Sequence, residues 1–161
     1  MHRVGQFVGH LTARLTADDE EMVRQILPPA AWRLFDAMPV ADRRHAIDVA
    51  QRLLTQGHDD RDLLAAALLH DVAKGRRLRL WHRVLGVLLA AMAPGALRRI
   101  ASPDPSSSSH AWWIFLHHAH LSADAAREAG LGERCAAFIA GTPAAADERL
   151  AAALHAADEA S

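Results

Sequence analysis

The 161-residue sequence contains no tyrosine and a single cysteine, Cys135. One thiol excludes an intramolecular disulfide and a metal site built from several thiolates. Valine and isoleucine together number only 13, against 35 alanines and 21 leucines. Alanine and leucine favour helices whereas β-branched residues dominate strands, so the composition argues against a β-sandwich, a barrel and a doubly wound sheet. We predict a single all-α domain.

A positive charge excess and a long hydrophobic run are also absent. The 18 Lys and Arg residues are balanced by 19 Asp and Glu, and the formal net charge of −1 gives no strong nucleic-acid signal. The most apolar stretch, residues 84–93, is about half as long as the roughly 20 residues of a membrane-spanning helix, so we predict no membrane span. The first ten residues lack the uninterrupted apolar core of a signal peptide, and the expected compartment is the cytoplasm.

Helix start and stop signals recur along the whole chain. Thr16 and Asp19 resemble a capping box for a helix that ends before the Pro28-Pro29 pair. Asp59 or Asp60 can cap a helix over residues 63–74. The serine- and proline-rich composition of residues 102–109 indicates a flexible surface loop. No shift in composition along the chain indicates a domain boundary. Further helices are expected over residues 40–56, 78–92, 110–130 (with a break near 118–121), 131–140 and 147–160.

The segment over residues 63–74, LLAAALLHDVAK, is the most informative. Its small and aliphatic side chains predict a helix buried on nearly all sides, and this helix carries an adjacent His70-Asp71 pair. A buried imidazole beside a buried carboxylate is costly unless both are compensated. A divalent metal does so, because neutral His nitrogen and ionised Asp oxygen are both good ligands. The alternative is that Asp71 only orients His70 or caps a neighbouring helix.

Two further ligand residues stand on other predicted helices. His45 lies on the helix over residues 40–56, and Asp158 follows an alanine-rich stripe in the last helix. With His70 and Asp71 they form a four-ligand constellation. We therefore predict one divalent metal ion (Mn, Fe, Ni, Zn or Mg) held by His45, His70, Asp71 and Asp158.

The order of these residues resembles the HD superfamily of metal-dependent phosphohydrolases, whose pattern is His…His-Asp…Asp. The segment HHAHLSADAAREAGL, residues 117–131, is similar to a second family motif, with His118 at its histidine and Ser122 in place of a glycine. The resemblance implies an HD-type helical bundle over residues 40–161, with residues 1–39 as an N-terminal helical extension packed on the core. It also implies a metal-dependent phosphohydrolase that acts on a phosphomonoester or nucleotide by a metal-activated water.

Specific roles follow for the residues around the predicted metal. Asp71, Lys74 and His118 are the expected catalytic residues, and Lys74, Arg77 and His118 are the expected substrate contacts. Lys74 follows Asp71 by three residues, hence on nearly the same helix face, and an ammonium can neutralise a phosphate without competing for the metal. Simpler interpretations stay open. Lys74 can complement the helix dipole, the basic run after it can be a solvated face, and His118 can hydrogen-bond within the core.

The sequence also favours a single metal ion. The helix over residues 135–142 supplies no histidine where some relatives with two metals carry one or two, which favours a single firmly bound ion.

The alternative function is a non-catalytic HD-like helical module that binds a nucleotide or a protein partner. Residues 78–92 are apolar over most of the helix circumference, so we expect one side to meet a partner subunit or a loop. The expected partners are therefore a small phosphorylated molecule or nucleotide and a second copy in a homodimer.

Overall fold

The computed structural model describes residues 15–75, 85, 88–89 and 91–161. Most of these residues are helical and none lies in a strand, which confirms the all-α prediction. None of the described helices is long and apolar enough to cross a bilayer. The elements bounded within them are α1 (Ala17–Ile26), α2 (Pro29–Asp36), α3 (Val40–Thr55), α4 (Arg61–Leu69), a 3₁₀ turn (Val72–Lys74), α5 (Pro94–Ile100), α6 (His110–Glu128), α7 (Glu133–Ala140), a second 3₁₀ turn (Ala145–Asp147) and α8 (Glu148–Glu159).

Several helices begin at the residues that the sequence indicates. The hydroxyl of Thr16 accepts a hydrogen bond from the backbone N–H of Asp19, and the Asp19 carboxylate accepts one from the N–H of Thr16. This completes the predicted capping box of α1. Pro29 opens α2 at a position where no backbone donor is needed. Asp60, rather than Asp59, caps α4 by accepting a hydrogen bond from the N–H of Leu63.

Helix α4 is the centre of the bundle. Every residue from Leu63 to Leu69 is buried, as the sequence predicts. Helices α1, α2, α3, α7 and α8 all pack around α4 and cover its apolar circumference. Because each fully buried leucine contributes about 1.5–3 kcal/mol, this packing fixes the position of the polar residues that follow the helix.

The C-terminal end of α4 differs from the prediction of a helix over residues 63–74. The α-helix ends at Leu69, and Asp71 leaves helical geometry with φ −107° and ψ 5°. The 3₁₀ turn Val72–Lys74 follows, closed by a 3.0 Å hydrogen bond from the N–H of its last residue to the carbonyl of Asp71. Within this turn the N–H of Ala73 donates to Oγ of Ser122 on α6, at 3.1 Å. A tertiary hydrogen bond thus uses a donor that a continued α-helix would need for itself.

Helix α6 is continuous over His110–Glu128, so the predicted break near residues 118–121 is wrong. This stretch contains neither proline nor glycine, and alanines recur along it, so nothing in its local sequence interrupts the backbone hydrogen bonds. The helix packs on α7 and on the 3₁₀ turn Val72–Lys74. This packing brings His118 to the end of α4.

Helices α1 and α2 pack on the same core as the rest of the chain. Val23 and Phe35 are fully buried in the apolar cluster that contains α4. Asp19 accepts hydrogen bonds from Arg44 of α3 at 2.7 Å and from Gln51 at 2.9 Å. Residues 1–14, Arg77 and most of the helix expected over 78–92 lie outside the described residues. The expectations for Arg77 as a substrate contact and for a homodimer therefore stay predictions.

Candidate metal centre

His45 and Asp158 meet although they are 113 residues apart in sequence. Helix α8 packs against α3 and α4, and the fully buried Ala157 keeps this contact close. Nε2 of His45 lies 2.8 Å from Oδ1 of Asp158, within hydrogen-bond distance. The packing of α8 on α3 therefore brings two of the four predicted ligands, His45 and Asp158, into direct contact.

The ring of His70 is oriented by a backbone hydrogen bond. Its Nδ1 donates to the carbonyl of Ala67 at 2.8 Å, so this nitrogen carries the proton of a neutral ring. The opposite nitrogen, Nε2, lies 3.3 Å from Oδ1 of Asp158 and 3.6 Å from Oδ1 of Asp71. Nε2 is buried and has no hydrogen-bond partner. A neutral His70 therefore directs a lone pair at two carboxylate oxygens, an arrangement that needs a positive charge between them.

Either a proton or a metal ion can supply this charge. Burial lowers the pKa of His70, but the carboxylates of Asp71 and Asp158 outweigh it, so the pKa lies above its ordinary value. Burial raises the pKa of Asp158, but contacts with His45 and His70 outweigh it and hold the pKa well below its ordinary range. When no metal is bound, His70 is thus the group that takes up the compensating proton.

Asp71 is only 3% exposed and is paired with Lys74. Nζ of Lys74 lies 2.6 Å from both carboxylate oxygens and donates its hydrogen bond to Oδ2. Oδ1 is buried without a hydrogen-bond partner. Burial raises the pKa of Asp71, but His70 and Lys74 outweigh it, so the pKa is lowered and the carboxylate is ionised. Lys74 contacts Asp71 as its three-residue spacing suggests, although through a 3₁₀ turn.

His118 faces the same carboxylate from α6. Its Nδ1 donates to the carbonyl of Phe115 at 2.9 Å, and its Nε2 lies 4.0 Å from Oδ1 of Asp71. Burial and the Lys74 ammonium lower the pKa of His118, which outweighs the opposite effect of Asp71. The ring is therefore neutral at pH 7, and Nε2 presents a lone pair toward the cluster.

The donor set fits a divalent metal ion. Ligand atoms of His45, His70 and Asp158 all lie within 4.8 Å of one another, the one group of this kind among the residues that the structure describes. Two atoms that each lie about 2.1 Å from one ion are at most about 4.2 Å apart. The contacts of His70 Nε2 with Asp158 and with Asp71, at 3.3 and 3.6 Å, satisfy this limit. A cation among these atoms would satisfy the buried Nε2 of His70 and would join the Lys74 ammonium beside Oδ1 of Asp71.

The predicted site residues thus divide into three groups. His45, His70 and Asp158 form the cluster, and Asp71 adjoins it through His70, with Lys74 and His118 on its other side. Ser122 was expected only as a substitute for a glycine. It is fully buried and holds the turn that follows Asp71. A serine among alanines on the inward face of a helix is the sequence signal that could have identified this contact.

A cavity of about 460 Å³ opens beside the cluster. His70, His118 and Asp158 line one end of it, and α7 and α8 supply much of the remaining wall, with Phe138, Ile139 and Leu154 among its residues. His155 also lines the cavity, but its side chain is exposed and lies 3.5 Å from Glu159 rather than in the metal cluster. The candidate metal ligands are therefore reachable by a small molecule.

Comparisons of the chain with protein-family models, with curated proteins and with solved structures give no match. The resemblance to the HD superfamily therefore depends on the order and identity of His45, His70-Asp71 and Asp158 and on the segment around His118. The chemistry of the site follows from the distances, burial and protonation of these side chains and their neighbours.

Proposed function

We propose that this chain is an HD-type metal-dependent phosphohydrolase that hydrolyses a phosphomonoester or nucleotide. One observation carries the proposal. Nε2 of His70 is buried without a hydrogen-bond partner, 3.3 Å from Oδ1 of Asp158 and 3.6 Å from Oδ1 of Asp71, beside the His45–Asp158 pair and at one side of a cavity. A buried imidazole lone pair that faces two carboxylates needs a cation, and two imidazoles with two carboxylates are a ligand set that divalent ions favour.

His45, His70, Asp71 and Asp158 would hold one divalent ion. Such an ion supplies Lewis acidity toward a phosphoryl oxygen and lowers the pKa of water. The Nδ1–H of His70 is fixed on the carbonyl of Ala67, which keeps Nε2 available as a ligand. Lys74 contacts both oxygens of Asp71, and Oδ1 also faces Nε2 of His70 at 3.6 Å.

His118 is the best-placed proton acceptor in this proposal. Burial and the Lys74 ammonium lower the pKa of His118, so its Nε2 is unprotonated at pH 7 and can accept a proton. This nitrogen faces the cluster, 4.0 Å from Oδ1 of Asp71, whereas the carboxylate of Asp71 is already paired with Lys74. In the step, the oxygen of water bonds to phosphorus while one of its protons passes to Nε2 of His118. The bond from phosphorus to the ester oxygen breaks, and this proton then passes to the departing alcohol, leaving hydrogen phosphate.

Lys74 contributes to phosphate binding as well as to the orientation of Asp71. An ammonium has three donors, so its contacts with the two oxygens of Asp71 leave at least one donor for a phosphoryl oxygen. Its side chain is 20% exposed, so its head group is accessible to an anion that enters the site. The positive charge also stabilises the charge that develops on the phosphoryl group.

Turnover of phosphoesters by matched histidine variants tests the proposal. Metal-loaded wild-type protein should release phosphate from a panel of phosphomonoesters and nucleotides. His70→Ala should abolish turnover with loss of metal, and His118→Ala should keep the metal but lower kcat by about 10²–10⁴-fold. His120→Ala, an exposed histidine on the same helix as His118, serves as the control and should retain activity. Unchanged activity in His70→Ala would contradict the proposal, and metal binding without turnover of any ester would favour the non-catalytic module.

A further inference from the structure

The cavity beside the metal centre has polar groups mainly at one end. His70, His118 and Asp158 lie where the cavity meets the cluster. The wall includes Phe138 and Ile139 of α7 and Leu154 of α8, all three buried. Among the described residues that line the cavity there is no arginine or lysine. One end of the cavity therefore suits a charged group, and the rest suits an apolar one.

Small side chains provide the space in this cavity. Ala119 of α6 and Ala151 and Ala152 of α8 line it. Ala151 is half-buried and packs against the core, so its methyl group is held at the wall. A larger side chain at this position would extend into the space and exclude a ligand there. Ala156, also on α8, is exposed and does not line the cavity, so it offers a matched position for comparison.

Away from the metal cluster, His155 is the one described lining residue whose side chain could hydrogen-bond a nucleobase, and this ring lies 3.5 Å from Glu159. At the C-terminal end of α7, the N–H groups of Gly141 and Thr142 already donate to the carbonyls of Phe138 and Ala137. A base or sugar placed against Phe138, Ile139 and Leu154 would lose hydrogen bonds to water that these side chains cannot replace, which is unfavourable. An alkyl or aryl group would instead gain by burial.

We infer that the substrate is a phosphomonoester of a compact apolar alcohol or phenol, with its alkyl or aryl group against Phe138, Ile139 and Leu154. The inference rests on the proposed function, since the phosphoryl group is assigned to the end of the cavity formed by His70, His118 and Asp158. It narrows that function from phosphomonoesters and nucleotides in general to esters with an apolar leaving group.

A series of n-alkyl phosphates tests the inference through binding. Dissociation constants of ethyl, butyl and hexyl phosphate for the full chain, measured by NMR titration, should fall about fourfold per added methylene until the cavity is full. Deoxyadenosine monophosphate should bind more weakly than hexyl phosphate. A dissociation constant independent of chain length, or tighter binding of the nucleotide, would overturn the inference.

Variants of α8 locate the apolar group. Ala151→Leu should remove most of the chain-length dependence, and the milder Ala151→Val should reduce it, while Ala156→Leu should leave it unchanged. Circular dichroism checks that each variant is folded. The alkyl phosphate series on the wild-type protein tests the inference even if a variant does not fold. If both Ala151 variants keep the wild-type dependence of the dissociation constant on chain length, the assigned position of the alkyl group is wrong. Hexyl phosphate that binds as expected but is not hydrolysed by metal-loaded protein would refute the proposed function alone, whereas hydrolysis without chain-length preference would refute this inference alone.

Discussion

Removal of the Lys74 ammonium should expose how strongly Asp71 depends on a nearby cation. Asp71 is 3% exposed, and Nζ of Lys74 lies 2.6 Å from both of its oxygens. Removing one partner of a buried ion pair costs about 3–5 kcal/mol, because the other charge is left uncompensated. The Lys74 side chain is 20% exposed, and His70 can still take up a proton nearby, so the cost is smaller here. We expect Lys74→Met to lower the free energy of unfolding by about 2–3 kcal/mol at pH 7 without metal.

Urea unfolding in the presence of a chelator measures this loss. In an Asp71→Asn background, Lys74→Met should cost less than about 1 kcal/mol, because the neutral amide needs no cation. Arg127→Met removes an ion-paired side chain at the surface and should also cost less than about 1 kcal/mol. These two controls separate loss of the buried charge pair from loss of side-chain packing.

Metal binding should offset the loss. A divalent ion at Asp71 would supply the charge that Lys74→Met removes, so saturating metal should stabilise this variant more than it stabilises the wild-type chain. An equal metal-dependent gain in both proteins would refute the view that Lys74 and a metal share Asp71. A cost below about 1 kcal/mol without metal would refute the argument from burial.

Other predictions concern stability and acid sensitivity. Asp60→Ala should lower the free energy of unfolding by about 1–2 kcal/mol, because the carboxylate caps α4 and binds Arg134. Asp60→Asn should lower the free energy of unfolding less than Asp60→Ala does. Because the pKa of Asp60 is lowered in the folded state, the stability difference between Asp60→Asn and wild type should be complete above about pH 5 and should vanish as pH falls through that lowered pKa. A stability difference that does not change with pH would contradict this prediction. Ser122→Ala should cost about 1–3 kcal/mol in urea unfolding, because the N–H of Ala73 loses its acceptor, and a cost under about 0.5 kcal/mol would argue against this contact. Metal affinity, measured by titration, should fall about tenfold per pH unit below the raised pKa of His70, because protons compete with the metal for Nε2. Equal metal affinity at pH 7 and pH 5 would exclude a histidine site.

The fold is accessible from sequence because it depends on local signals. The alanine- and leucine-rich run in α4 predicts burial on all sides, and every residue from Leu63 to Leu69 is buried. The capping pattern of Thr16 and Asp19 and the cap at Asp60 require only neighbouring residues, so their positions follow directly. The meeting of His45 with Asp158 was expected from their ligand chemistry on separate predicted helices and from the family pattern, since no local rule joins residues 113 positions apart.

Details of the site depend on tertiary contacts that no local pattern contains. The end of α4 at Leu69 involves Ser122, which lies on a helix 49 residues beyond the Ala73 donor. The proton positions on His70 and His118 depend on backbone carbonyls within one turn of each ring, at 2.8 and 2.9 Å. A sequence shows that a histidine is present, but not which of its nitrogens faces the carboxylates.

Metal stoichiometry is the most direct test of the central claim that His45, His70, Asp71 and Asp158 form one metal centre. The 161-residue protein, produced without an affinity metal, would be equilibrated with Mn or Zn, freed of excess ion and subjected to elemental analysis. The wild-type chain should retain about one ion, His70→Ala and Asp158→Ala should retain almost none, and the exposed control His120→Ala should match wild type. A metal-free wild-type chain, or a full complement of metal in His70→Ala, would contradict the claim.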